Sequence, residues 1–207
     1  MPFLSSGIYI RTSEMPYEAE SSYYLKYQIK SALISIDKLM QDFDIAFDSK
    51  CQYCHYYTDH LLYSYGQISN RFVITTKDVG LTRERKEANR RNFEFTEVKY
   101  PILSDKRARN TIEHIDEHNQ PIIEEYRGVG GFNLIEQETP DELVSKLQNR
   151  RKNHPYTLDL VRGEIMIVRN GTNIDVNLAS LKLELLALYD RVSSVYDTLQ
   201  EMVRRQL

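Results

Sequence analysis

The C-terminal stretch carries the pattern that most restricts the fold. Leu178, Leu181, Leu185, Leu188, Val192, Val195, Leu199 and Met202 recur at alternating steps of three and four residues. Over four heptads that spacing lines one stripe of a helix. A stripe of this length is unstable in water and must be covered by other elements. Asn177 suits the N-cap of this helix, and Arg204 and Arg205 suit its C-terminal end, where the helix dipole favours cations.

The covering elements are expected near the start. After Pro16, the residues Leu25, Ile29, Ala32, Ile36, Leu39, Phe43 and Ala46 keep the same step, and Leu33, Met40 and Phe47 widen the stripe. The spacing predicts a helix over roughly residues 17–48. Cys51, Cys54, Thr58, Leu61, Tyr65 and Ile68 predict a second helix, with Gly66 weakening its end. Two long helices with a short join predict an antiparallel hairpin. Gly and Pro number only 8 and 6 in 207 residues, which leaves room for such helices. The expected fold class is therefore mainly α: one domain over 1–207, built as a bundle of long antiparallel helices.

The middle of the chain reads differently. Phe72-Val73-Ile74-Thr75 is a short β-like run. The charged stretch Arg83-Glu84-Arg85-Lys86-Glu87, ending in Arg90-Arg91, reads as an exposed, mobile loop with one short helix. A third helix is expected from about Ile102 to His118, with Pro101 in its first turn and Pro121 beyond its end. Its apolar face is thin: Ala108, Ile112 and Ile115. Residues 120–176 read as an insertion before the last helix. It holds a short helix opened by Pro140-Asp141-Glu142, then strands at Tyr156–Leu160 and Glu164–Val168. Asn170-Gly171 is a tight-turn signal, so a β-hairpin or three-stranded meander is expected.

Composition limits the function. The formal net charge is −3, so no global field draws the protein to nucleic acid or anionic lipid, and RNA binding needs a local patch. There is no apolar run of membrane-spanning length and no signal peptide at Met1-Pro2-Phe3-Leu4, so a cytoplasmic protein without membrane contact is expected. Cys51-Gln52-Tyr53-Cys54-His55 has the literal spacing for haem attachment, and Cys51, Cys54, His55 and His60 are conceivable zinc ligands. Both cysteines fall on the apolar stripe of the second helix, so buried core thiols are expected, with no metal and no cofactor. Eight tyrosines gather on the first two helices: Tyr23, Tyr24, Tyr27, Tyr53, Tyr56, Tyr57, Tyr63 and Tyr65. They either pack the bundle edge or a subunit interface, or stack bases.

Chemistry-bearing residues crowd the third helix: Lys106-Arg107-Ala108-Arg109-Asn110-Thr111-Ile112-Glu113-His114-Ile115-Asp116-Glu117-His118. Cleavage of an RNA phosphodiester needs such groups. A histidine takes the 2′-hydroxyl proton or protonates the leaving 5′-oxygen. An arginine stabilises charge on the phosphorane-like transition state. The bland alternative pairs Arg109 with Glu113 or Asp105 and leaves His114 exposed beside Glu117 or His118.

The run Arg109-Asn110, three residues, then His114 resembles the motif of the HEPN superfamily: an arginine, usually a polar residue next, and a histidine after a gap of four to six. Arg107 fits the same histidine at a gap of six. The resemblance implies a metal-independent endoribonuclease of the toxin–antitoxin or phage-defence type, acting as a homodimer whose two motifs meet in a cleft. It makes Arg109 and His114 catalytic and Asn110 supporting. Arg107, Glu113, His118, Arg85, Arg90 and Arg91 are the expected substrate-binding residues. Arg109 and His114 lie about 140° apart on an ideal helix, so a site shared between two chains brings Arg and His to one phosphate more easily than one helix does. The alternative is a non-catalytic HEPN-like module that binds an antitoxin or a nucleotidyltransferase-like partner.

Overall fold

A computed structural model describes residues 17–41, 45–108, 133–138, 156–169 and 172–206. The architecture is mainly helical, with a small four-stranded sheet directly before the C-terminal helix. Helix α1 spans Tyr17–Leu39 and α2 spans Phe47–Asn70. The predicted continuous helix over 17–48 therefore stops early. Met40 and Gln41 close its last turn on Ile36 and Lys38. Asp42 and Asp44 follow, and aspartate is a weak helix former that the negative C-terminal dipole repels.

Direction follows from side-chain contacts. Asn89 joins Ser21, early in α1, to the carbonyl of Arg71, at the end of α2. The two helices thus run antiparallel, as the short join requires. The C-terminal helix, α4, spans Leu178–Gln206. Lys26 lies 4.0 Å from Asp197, and Lys182 lies 2.6 Å from Asp37, so α4 also runs antiparallel to α1. Leu25, Ile29, Ala32 and Ile36 of α1 join Leu61, Tyr65 and Ile68 of α2 and Leu181, Leu185, Leu188 and Val192 of α4 in one core. Each fully buried aliphatic chain contributes about 1.5–3 kcal/mol. Gly66 is buried within α2 and does not end it. The heptad pattern outlasts the core, and Met202 is exposed.

The charged stretch is one 13-residue helix rather than a loop, and much of it is exposed as expected. Phe72–Thr75 form no strand: Phe72 closes a turn and Val73–Thr75 are irregular. Helix α3 spans Gly80–Asn92. Phe72, Phe93, Phe95, Tyr100 and Leu103 all enter the core.

The sheet has strands β1 (Asn133–Ile135), β2 (Tyr156–Asp159), β3 (Glu164–Arg169) and β4 (Thr172–Asn177), in that spatial order. β2, β3 and β4 form the expected antiparallel meander. β1 adds to its edge in parallel with β2, which was not expected. Arg169 pairs with Thr172, so two residues, Asn170-Gly171, join β3 to β4. Tyr156, Leu158, Ile165, Ile167, Ile174 and Val176 share the face that meets the helices. Gly163 adopts φ +65 in the β2–β3 turn, a conformation that favours glycine, and Asp159 accepts the Arg162 amide at 2.9 Å beside it. Asn177 caps α4 as expected: its side-chain oxygen accepts the Ser180 amide at 2.9 Å.

Candidate functional site

The chain enters the Arg109–His114 run through residues 93–108, and the molecule fixes this approach at several points. Phe95 stacks on Phe72 at 4.2 Å and on Tyr100 at 4.8 Å, and Phe93 meets Phe72 edge-on. Two adjacent backbone units are then gripped by side chains from two helices. Glu184 of α4 accepts the amides of Ile102 and Leu103 at 2.9 and 3.0 Å. From α2, the Tyr65 hydroxyl donates to the Ile102 carbonyl, and Ser69 donates to the Leu103 carbonyl at 2.7 Å. Burial pushes the Glu184 carboxyl up, and its two amide partners only partly offset that. Burial likewise pushes the Tyr65 hydroxyl far up, so it remains a donor.

Residues 101–104 are turns, and helical structure starts at residue 106, later than the expected Ile102. Asp105 caps it. One carboxylate oxygen accepts the Arg107 amide at 2.8 Å, and the other accepts the Arg107 guanidinium at 2.8 Å. Burial raises the Asp105 carboxyl, but Arg107 and the Ala108 amide outweigh it and hold the group below the usual carboxylate range. Ala108 is buried, as its place on the thin apolar face requires. Arg107 is exposed. Arg109, Asn110, Glu113, His114 and His118 lie outside the described residues.

The basic run on α3 divides in two. Arg85 and Arg91 are exposed, and Arg90 is half-buried, 3.7 Å from Glu97. Arg83 pairs with Glu87 one turn on. Lys86 points inward instead. Its ammonium donates to both Asp78 carboxylate oxygens at 2.9 Å, to the Val73 carbonyl at 3.0 Å and to Asn70 at 3.2 Å. Burial raises the Asp78 carboxyl, but the Thr75 amide and hydroxyl and the Lys86 ammonium outweigh it and lower the group. Lys86 and Asn89 are thus structural clamps, whereas Arg85, Arg91 and Arg107 are exposed, Arg107 in its pair with Asp105.

Sequence reasoning missed Glu184, Lys86 and Asn89. Glu184 carried a signal: it stands three residues after Leu181 and four before Leu188, on the apolar stripe itself. A carboxylate there needs a partner.

Cys54 is buried, and burial pushes its thiol up to about 11. That suits a packing thiol rather than a nucleophile. Nearby, Lys50 pairs with Glu136 at 2.5 Å, and Asp59 lies 3.4 Å from His55 and accepts the Tyr156 hydroxyl. These contacts bind α2 to the β1–β2 edge. Among the described residues, no three His, Cys, Asp or Glu side chains converge as a metal site. None of the described helices is long and apolar enough to cross a membrane.

The tyrosines do not share one role. Tyr65 is core, and Tyr53 and Tyr57 pack partly against it. Tyr23, Tyr24, Tyr27, Tyr56 and Tyr63 are exposed. No protein-family model, curated protein or solved structure matches this chain.

Proposed function

We propose that the chain is a HEPN-type, metal-independent endoribonuclease that acts as a homodimer. The observation that carries this reading is the grip on residues 102–108. Glu184, Tyr65, Ser69 and the Asp105 cap set the start of the segment that leads to Arg109, Asn110 and His114. Catalytic groups work when their supporting backbone is held rigidly, and buried polar contacts of this kind supply such support.

In this mechanism His114 takes the proton from the 2′-hydroxyl, or protonates the leaving 5′-oxygen. The 2′-oxygen attacks the adjacent phosphorus and the P–O5′ bond breaks, which leaves a 2′,3′-cyclic phosphate and a 5′-hydroxyl. Arg109 stabilises the charge that develops on the phosphoryl oxygens, and Asn110 orients His114. Arg107, Arg85 and Arg91 supply positive charge for the flanking phosphates.

The test is incubation of the purified protein with mixed RNA in EDTA, beside the His114→Ala protein at equal concentration. Cleavage by the wild type and a loss of at least a hundredfold in His114→Ala are expected. Equal cleavage by the two proteins, or none by either, contradicts the reading.

A further inference from the structure

A second surface, away from the motif segment, alternates aromatic rings with cations. On α1, Tyr23, Lys26, Tyr27 and Lys30 fall within about 100° of the helix circumference. The rings of Tyr23 and Tyr27 are 59% and 65% exposed. Facing them, α4 supplies Tyr189 and Tyr196, seven residues apart and so on one side of that helix. The Lys26 ammonium lies 4.7 Å from the Tyr196 ring centre and 5.9 Å from that of Tyr189. Lys30 lies 5.6 Å from the Tyr189 ring, and Tyr23 lies 6.3 Å from Tyr196.

Core packing does not account for this arrangement, because the α1 rings stand in solvent while Leu25, Ile29 and Ala32 fill the buried side of the same helix. Exposed rings beside ammonium groups match the two parts of a single-stranded nucleic acid. Bases stack on rings with little regard to sequence, and phosphates meet the cations. In a duplex the base faces are already covered by their neighbours.

We propose that this α1–α4 face is a platform for single-stranded RNA. The choice of RNA over DNA rests on the ribonuclease reading above. The platform itself rests only on the rings and cations. Asp197, 4.0 Å from the Lys26 ammonium, lies within the platform beside Tyr196, and the Asp37–Lys182 pair lies towards its other end.

The experiment is fluorescence anisotropy of a short labelled oligouridylate in EDTA, with the His114→Ala protein used to prevent cleavage. Tyr27→Ala is expected to weaken binding roughly tenfold, and Tyr27→Phe, which keeps the ring, to bind as the parent does. Lys26→Ala is expected to reduce the slope of log affinity against log salt by about 0.7. The proposal is overturned if the parent does not bind, if Tyr23→Ala/Tyr27→Ala binds equally well, or if a duplex binds with the same affinity. It is also overturned if that double variant turns a dimer into a monomer, because a second copy then covers the face. Ring-dependent binding by a protein whose wild type cleaves no RNA leaves the platform standing and removes the ribonuclease. Cleavage with ring-independent binding does the reverse.

Discussion

Where α1 meets α4, aliphatic side chains supply the core: Leu25, Ile29, Ala32 and Ile36 on one helix, Leu181, Leu185, Leu188 and Val192 on the other. Residues 71–108 join the same core through four aromatic rings and a set of buried polar groups. Lys86 holds Asp78, Asn70 and the Val73 carbonyl. Asn89 links Ser21 to Arg71. Glu184 and Ser69 hold the backbone at Ile102 and Leu103. The difference is one of directionality. Aliphatic contact scales with area and tolerates small shifts of one helix against the other. A hydrogen-bonded clamp fails with a small change in geometry, and so it fixes a position. The approach to the Arg109–His114 run is built in the second way.

Mutations can break this contrast. The largest effect is expected from Lys86→Met, which leaves the Asp78 carboxylate buried without its cation and should destabilise the fold by about 3–5 kcal/mol. Ile29→Val, in the aliphatic contact, should cost only about 0.5–1.5 kcal/mol. Urea denaturation of the two variants compares them directly, and similar midpoints would remove the contrast. A smaller loss, about 1–3 kcal/mol, is expected for Glu184→Gln, because its NH2 group then faces one of the two amides that separate carboxylate oxygens accept, Ile102 or Leu103. Hydrogen exchange should quicken at those two amides and stay unchanged in the α1–α4 contact.

The smallest effect is a pH dependence. The Asp78 carboxyl is lowered in the folded protein, so its contribution is present above the unfolded value of about 3.9 and is lost as pH falls through the lower folded value. An acid titration of stability should therefore show a decline in the wild type that is reduced in Asp78→Asn. Parallel curves for the two proteins would show that the Asp78–Lys86 pair contributes nothing to acid sensitivity.

The aliphatic half of the molecule was legible in the sequence because period carries it. Leu181 to Val192, the α1 stripe and the Asn177 cap all follow from spacing alone. Residues 71–108 were not legible in that way. Arg83 to Arg91 looks like a solvated charge run, and nothing in its spacing separates the inward Lys86 from the outward Arg85. What decides between them is Asp78, eight residues earlier, and the turn that brings it back. The parallel strand β1 was hidden for a similar reason: its partner β2 is more than twenty residues away. Near the candidate site, Ala108 is buried as its place on the thin apolar face predicts, and Arg107 is exposed. The supporting Glu184 comes from the far end of the chain, where only its position on an apolar stripe marks it.

The most direct test of the proposed ribonuclease is the chemistry of the ends on RNA incubated with the protein. A defined oligoribonucleotide is digested in EDTA and the fragments are weighed by mass spectrometry. A 2′,3′-cyclic phosphate opposite a 5′-hydroxyl is expected, made by the wild type and not by His114→Ala. Fragments with a 3′-hydroxyl and a 5′-phosphate, or an intact oligonucleotide, would contradict the assignment of Arg109 and His114 as an RNA-cleaving pair.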